Sequence, residues 1–213
     1  MKNKILKIAI VGKTNAGKSS LINQIVGEKI SIQNKKINTT QDLILGIKNI
    51  NESQLLFYDT PGSNFINIIN KKSKILKTNF WNGINESDLI LYLIDSNKIN
   101  FNFLFSQLDK LKDIDKKIII VFNKIDLISS KKLFPIIKDI ESKYKIEFFF
   151  SISAKKNTGI KKLLEEITKY SYKSGPLIYF INSESEELGF LISWIMHSFN
   201  SDKLCGGIFV AIP

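Results

Sequence analysis

Four short stretches of this 213-residue chain carry residue types and spacings suited to phosphate and purine chemistry. The first is Gly12-Lys13-Thr14-Asn15-Ala16-Gly17-Lys18-Ser19-Ser20, which matches G-x-x-x-x-G-K-[ST]. Its glycines let the backbone wrap phosphates so that successive N–H groups point inward, and a following helix adds the positive end of its dipole. Lys18 would reach the β- and γ-phosphates, and the Ser19 hydroxyl would ligate Mg²⁺. The second is Asp59-Thr60-Pro61-Gly62. Its carboxylate supplies a second hold on Mg²⁺, and Gly62 can turn its N–H toward a γ-phosphate because no side chain obstructs it.

The third is Asn123-Lys124-Ile125-Asp126. The Asp126 carboxylate can accept from guanine N1–H and the 2-amino group, two donors that adenine does not offer, so the pattern predicts guanine over adenine. Asn123 would tie the base to the phosphate loop, and the Lys124 stem would cover the base face. The fourth, Ser153-Ala154-Lys155, places a backbone N–H, that of Ala154, near guanine O6. The ligands predicted are therefore GTP or GDP with Mg²⁺.

The elements that must position these residues can be read from the apolar runs. Ile5–Val11, Leu43–Ile47, Gln54–Tyr58, Leu89–Ile94, Lys117–Phe122 and Glu147–Ser151 read as strands, several apolar on both faces as buried parallel strands are. Helical spacing runs over Lys18–Val26, about Ile66–Asn82, Phe101–Lys112, Lys131–Lys143 and Ile160–Tyr170. The order predicts an α/β, doubly wound, mostly parallel six-stranded sheet, antiparallel at one edge where strands 2 and 3 follow each other without a helix. Each motif then falls at the carboxyl end of a strand, where such sheets bind ligands. Lys173-Ser174-Gly175-Pro176 breaks the last helix, which predicts a domain over 1–172 and a short C-terminal extension over 173–213.

Composition narrows the chemistry further. One cysteine, Cys205, excludes a disulfide framework and a cysteine metal cluster, and one histidine, His197, makes a histidine triad or zinc site improbable. Cys205, His197 and Trp194 in the extension read as packing or exposed surface rather than a site. The formal charge is +11, and all 31 basic residues are lysine. Phosphate must then be met by lysine point charges or backbone N–H groups, with no bidentate arginine. The excess is uneven: residues 1–173 carry +14 and residues 174–213 carry −3. A basic body points toward nucleic acid, although a solvated lysine-rich surface under coding bias accounts for it equally. The apolar run Leu188 to Met196 is too short to span a bilayer, so the chain is expected to be cytoplasmic, with peripheral membrane association left open.

In this order the four motifs make the chain resemble the translation-factor-related small GTPases, and within them the bacterial Era family. The loop after the first helix narrows the choice. Lys29-Ile30-Ser31-Ile32-Gln33-Asn34-Lys35, then Thr39-Thr40-Gln41-Asp42-Leu43-Ile44-Leu45-Gly46-Ile47, is similar to the Era stretch S-I-x-x-N-K…T-T-R…I-x-G-I. The resemblance covers about residues 5–170. It implies that Thr40 closes on Mg²⁺ in the GTP state, with Thr39 the fallback. It also implies that Asn15 is similar to the asparagine some relatives use to hold K⁺. The implied activity is slow GTP hydrolysis in small-ribosomal-subunit assembly, with ribosomal RNA as partner.

Three departures qualify the resemblance. Gln41 stands where arginine is usual, and Ser63 where a bulky apolar residue follows D-T-P-G. Neither is a glutamine placed to orient water as in Ras-like enzymes, so intrinsic turnover is expected to be slow. Era proteins continue into a KH RNA-binding domain with a G-x-x-G loop. No G-x-x-G with basic flanks follows residue 170, and the likeness is expected to fade after Leu188. The expectation is a truncated or frameshifted Era-like chain, against a lineage-specific tail that docks on the core. A nucleotide-binding relic without RNA binding or efficient hydrolysis is the alternative function. The domain of a tRNA-modifying or double-domain ribosome GTPase is disfavoured, because one motif set starts at residue 12.

Overall fold

A computed structural model describes residues 4–27, 44–60, 71–144, 146, 148–173, 178–182 and 208–212. Its main sheet is built from β1 (Lys4–Gly12), β2 (Ile44–Ile50), β3 (Ser53–Asp59), β4 (Leu89–Asp95), β5 (Lys117–Asn123) and β6 (Phe148–Ser151). The helices are α1 (Lys18–Val26), α2 (Lys71–Glu86), α3 (Phe101–Leu111), α4 (Leu133–Lys143) and α5 (Ile160–Thr168). Strand order is β2-β3-β1-β4-β5-β6, with every pair parallel except β2 with β3. The antiparallel edge is where the sequence places it. The second strand has a bulge between Ile44 and Gly46 and runs past the predicted Ile47 to Ile50.

The strands are apolar on both sides because both sides are covered. Leu6, Ile8 and Ile10 of β1 face one core with Leu21, Ile22 and Ile25 of α1 and Leu163 and Ile167 of α5. Ala9 and Val11 face the other, with Phe80 and Ile84 of α2, Leu104 and Leu108 of α3, and Ile140 of α4. Alternation within one strand therefore feeds two cores, which is why periodicity alone shows a continuous apolar run.

Helix α2, described from Lys71, runs past the predicted Asn82 to Glu86 and brings both Phe80 and Ile84 into the core, while residues 66–70 lie outside the described residues. Its C-terminal end is held by Lys116, whose Nζ donates to the carbonyls of Ile84, Asn85 and Ser87, each at 2.5 Å. The Ile84 carbonyl also accepts from the Ser87 N–H and hydroxyl, and an ammonium at this helix end also interacts favourably with the dipole.

Three further strands lie beyond those read from the sequence. Tyr172 and Lys173 form β7, antiparallel to Lys4 and Ile5, which makes the sheet seven-stranded. The predicted boundary after residue 172 falls inside that strand. β8 (Ile178–Asn182) and β9 (Ile208–Ile212) form a separate two-stranded parallel sheet. Among the described residues, no helix is long and apolar enough to cross a membrane.

The chain leaves β1 toward β2 and β3 on one side, then crosses to β4 on the other. The crevice at that reversal opens at the carboxyl end of β1, next to Gly12.

Candidate nucleotide site

The loop from Gly12 to Gly17 joins β1 to α1. Gly12 takes φ +155°, and a Cβ there would lie 2.3 Å from the Leu93 carbonyl oxygen of β4, so only glycine lets the loop leave the sheet so close to its neighbour. Asn15 and Gly17 also have positive φ, 65° and 97°. These left-handed residues curl the backbone into a hollow. Gly17 stands at the N-cap of α1 with no side chain to cap it, which leaves the first-turn amides facing that hollow. Ala16 is buried beneath, while Lys13, Thr14, Asn15, Ser19 and Ser20 are exposed at the mouth.

Lys18 folds back over the loop. Its Nζ donates to the Gly12 carbonyl at 3.1 Å and the Lys13 carbonyl at 3.3 Å, and the residue is 8% exposed. An ammonium held there lies across the same hollow as the backbone amides. The Lys13 ammonium leans away from it, 5.6 Å above the Phe103 ring of α3. Lys13 thus offers the loop its backbone.

Asp59 ends β3 opposite Ile10 of β1, one strand across from the loop. Thr60 is buried and its Oγ1 donates to the Ile10 carbonyl at 2.7 Å, which fixes the second motif to the strand that carries the first. Pro61, Gly62, Ser63, Thr39, Thr40 and Gln41 lie outside the described residues, as do His197, Trp194 and Cys205.

The last two motifs are joined through one buried amide. Asn123 Nδ2 donates to the Ala16 carbonyl at 2.9 Å, and its Oδ1 accepts from the Ala154 N–H at 3.0 Å. The residue is 1% exposed, so both bonds act where an unpaired amide would be costly. Asn123 therefore ties the phosphate loop to the β6 loop. The Ala154 N–H, expected near guanine O6, is taken by Asn123; the N–H of Lys155, next in the chain, accounts for no bond among the described residues.

Asp126 accepts from the Ser153 hydroxyl at 2.6 Å, and Ser153 Oγ in turn accepts from the Lys156 N–H at 3.1 Å. The Ser153 hydrogen bond, followed by its own backbone N–H and the charges of Lys156 and Lys155, holds the Asp126 carboxyl below its ordinary range, against burial acting the other way. One oxygen is thus anchored and the carboxylate is kept ionised, as an acceptor of two guanine donors must be.

Sequence reasoning missed one residue of the site. Asp95 ends β4 and pairs in register with Asn123 of β5, so the residue after Asn123 returns beside it. Its Oδ2 lies 2.6 Å from Lys124 Nζ, which also donates to the Asn15 carbonyl at 2.7 Å. The available signal was a carboxylate at the tip of an apolar strand. A cleft of about 430 Å³ opens beside the loop, lined by Lys13, Asn15, Asp95, Asn100, Phe103 and Lys124 among others.

A parallel α/β sheet with a glycine-built phosphate hollow, a folded-back lysine and a base-side loop carrying an ionised aspartate defines a P-loop GTPase domain. Residues 7–124 match the family model described as 50S ribosome-binding GTPase. The chain is 34% identical over 179 residues to GTPase Era of Rickettsia bellii, covering 83% of this chain and 58% of that protein. It is 32% identical over 213 residues to GTPase Era of Caldanaerobacter subterraneus subsp. tengcongensis, covering 96% and 70%. Among solved structures, it is similar to Era in complex with MgGDPNP and nucleotides 1506–1542 of 16S ribosomal RNA. That match has a TM-score of 0.65 and 36% identity, and covers 82% of this chain and 59% of that one. The chain belongs to the Era-like GTPases. It spans little more than half the length of the Rickettsia relative. The Caldanaerobacter match extends over 96% of this chain, whereas the Rickettsia match covers 83% of it.

Proposed function

We propose that this chain binds GTP and GDP and hydrolyses GTP slowly, in the assembly of the small ribosomal subunit. The observation that carries the nucleotide reading is the Asn123 bridge. One buried amide locks the phosphate hollow to the loop that presents Asp126, so phosphate and guanine sites are set at a fixed separation. The ribosomal reading is supported by the 16S ribosomal RNA bound in the similar Era structure.

Lys18 would meet the β- and γ-phosphates together with the amides of the loop and of α1. Asp126 would select the base, and Lys124, held by Asp95, would lie along it. Gly62 would turn its N–H to the γ-phosphate and Thr40 would close on the phosphate side.

The residues present suit Mg²⁺. Ser19 is exposed at the start of α1, and β3 delivers Asp59 beside the same hollow, so Ser19, Asp59 and Thr40 would hold the ion as oxygen donors. Mg²⁺, when bound, neutralises charge on the β- and γ-phosphate oxygens. With no arginine in the chain, turnover is expected at or below the ~10⁻⁴ to 10⁻² s⁻¹ of unassisted relatives. K⁺ held by Asn15 would raise it.

Nucleotide titration tests this reading. GTP and GDP should bind far more tightly than ATP, and Asp126→Asn should shift preference toward xanthosine triphosphate, whose 2-oxo group accepts from the new amide. Lys18→Ala should abolish detectable binding, and Ser19→Ala should weaken affinity only where Mg²⁺ is present. Equal affinity for ATP and GTP in the wild-type chain would overturn the assignment. Tight GTP binding with no turnover in any salt would favour the relic.

A further inference from the structure

The carboxyl ends of β5 and β6 carry a concentration of lysine, of which Lys155 and Lys156 also act on the Asp126 carboxylate. Lys131 and Lys132 stand at the start of α4, Lys155 and Lys156 in the loop after β6, and Lys161 and Lys162 in the first turn of α5. All six are exposed. The two loops are bound to each other by the Ser153–Asp126 hydrogen bond and by the Ile125 N–H donating to the Ile152 carbonyl. They therefore present one rim, with α4 and α5 on opposite faces of the sheet.

Acids are scarce on this rim. Asp126 is the one acid between Lys124 and Lys138, and none occurs from Ser153 to Leu164. Among the described residues, Lys161 alone of the rim lysines reaches a carboxylate, Glu165 at 4.0 Å. At the other end of β5 the pattern is the reverse: Asp109, Asp113 and Asp115 alternate with Lys110, Lys112, Lys116 and Lys117. Placement deepens the contrast. Neither α4 nor α5 has an acid in its first turn, so lysines stand where the helix dipole is already positive. Local stability disfavours that arrangement, and residues that break a local rule together point to a partner. Two large apolar side chains protrude from the same stretch, Leu127 at 56% and Phe134 at 68% exposure.

We propose that this lysine rim is a docking surface for single-stranded RNA, with the ammonium groups on successive phosphates and Phe134 offering its ring to a base. The inference rests on the RNA partner proposed above and adds the part of this chain that would touch it. Its chemistry is that of sequence-tolerant single-strand binding, a positive track beside an aromatic platform. Anionic peptide would satisfy the charge but would leave the Phe134 ring without a stacking partner.

The test uses the full chain with GDP and a fluorescent oligouridylate of about 12 nucleotides, followed by anisotropy from low to physiological salt. Lys131, Lys132, Lys161 and Lys162, all changed to Gln, should weaken binding about tenfold or more. They should also reduce the salt slope by about 3, from about 0.7 per phosphate lost. A control set with the same loss of charge, Lys112, Lys138, Lys143 and Lys173 changed to Gln, should change affinity less than about twofold. Phe134→Ala should weaken binding at an unchanged slope. Equal losses in the two lysine sets would reduce the effect to general charge and overturn the proposal, as would RNA binding untouched by the rim set or absent from the wild type. Displacement of the RNA by poly-glutamate at equal concentration would assign the rim to an acidic protein instead. GDP affinity, measured on the same samples, reports separately on the nucleotide site.

Discussion

Asp95 and Lys124 form an ion pair at 2.6 Å whose consequence lies in a third residue. The same Lys124 ammonium donates to the carbonyl of Asn15, a residue held at φ 65° in the phosphate loop. Lys124 is itself at φ 63°, a conformation costly for a side-chain-bearing residue and kept only where surroundings over-determine it. Asp95 thus reaches the phosphate loop through Lys124, although β1 stands between Asp95 and the β3 motif. The pair is partly shielded, at 16% and 31% side-chain exposure, so it escapes most of the screening that weakens surface ion pairs.

Removing that carboxylate should loosen the loop. Asp95→Ala is expected to speed GDP release about tenfold, equivalent to about 1.4 kcal/mol, the scale of a charge-assisted hydrogen bond. Asp95→Glu should recover part of it. Stopped-flow chase of a fluorescent GDP gives the rate, and an unchanged rate in Asp95→Ala would remove Asp95 from the site.

Ser153→Ala should change the acid limit of GDP binding. A carboxylate whose folded pKa is depressed contributes above its unfolded pKa, and that contribution is lost as pH falls through the folded value. The Ser153 hydrogen bond is the largest cause of the depression at Asp126. Without it the carboxyl rises toward its ordinary range, so GDP affinity should begin to fall at a higher pH than in the wild type. Calorimetric titration from neutral pH downward would show the shift, and superimposed profiles would count against it.

Potassium tests the chemistry. Negative charge spreads over the γ-phosphoryl oxygens in the transition state, and no arginine is present to meet it. Hydrolysis should rise about tenfold in K⁺ over Na⁺ at equal ionic strength, about 1.4 kcal/mol. Asn15→Ala should erase the difference and leave GDP affinity nearly intact. Phosphate release measured in both salts decides it, and equal rates would end the potassium proposal.

Gly12→Ala bears on stability rather than chemistry. The new Cβ would lie 2.3 Å from the Leu93 carbonyl oxygen, a backbone atom of the neighbouring strand that cannot swing aside, at a φ alanine disfavours. A loss of about 2 kcal/mol or more is expected in denaturant unfolding, with nucleotide affinity falling as the loop shifts. A midpoint equal to that of the wild type would mean that the loop relaxes freely.

The sequence determined the motifs, their order and the sheet that carries them, because glycine spacing and apolar runs are local properties. It also determined which strand ends would meet, since parallel strands alternating with helices bring every carboxyl end to one edge. Tertiary structure alone decided the partners across that edge. Asp95 lies 29 residues before Lys124, and only the register of β4 against β5 brings them together. Asn123 is 107 residues from Ala16, and its amide has two acceptor and donor choices that no spacing distinguishes. The two-residue strand β7 depends on which backbone of β1 was left open below Ile8. Hydrogen-bond partners distant in sequence are chosen by the packing of the elements that bear them, and that choice is made only when the sheet has formed.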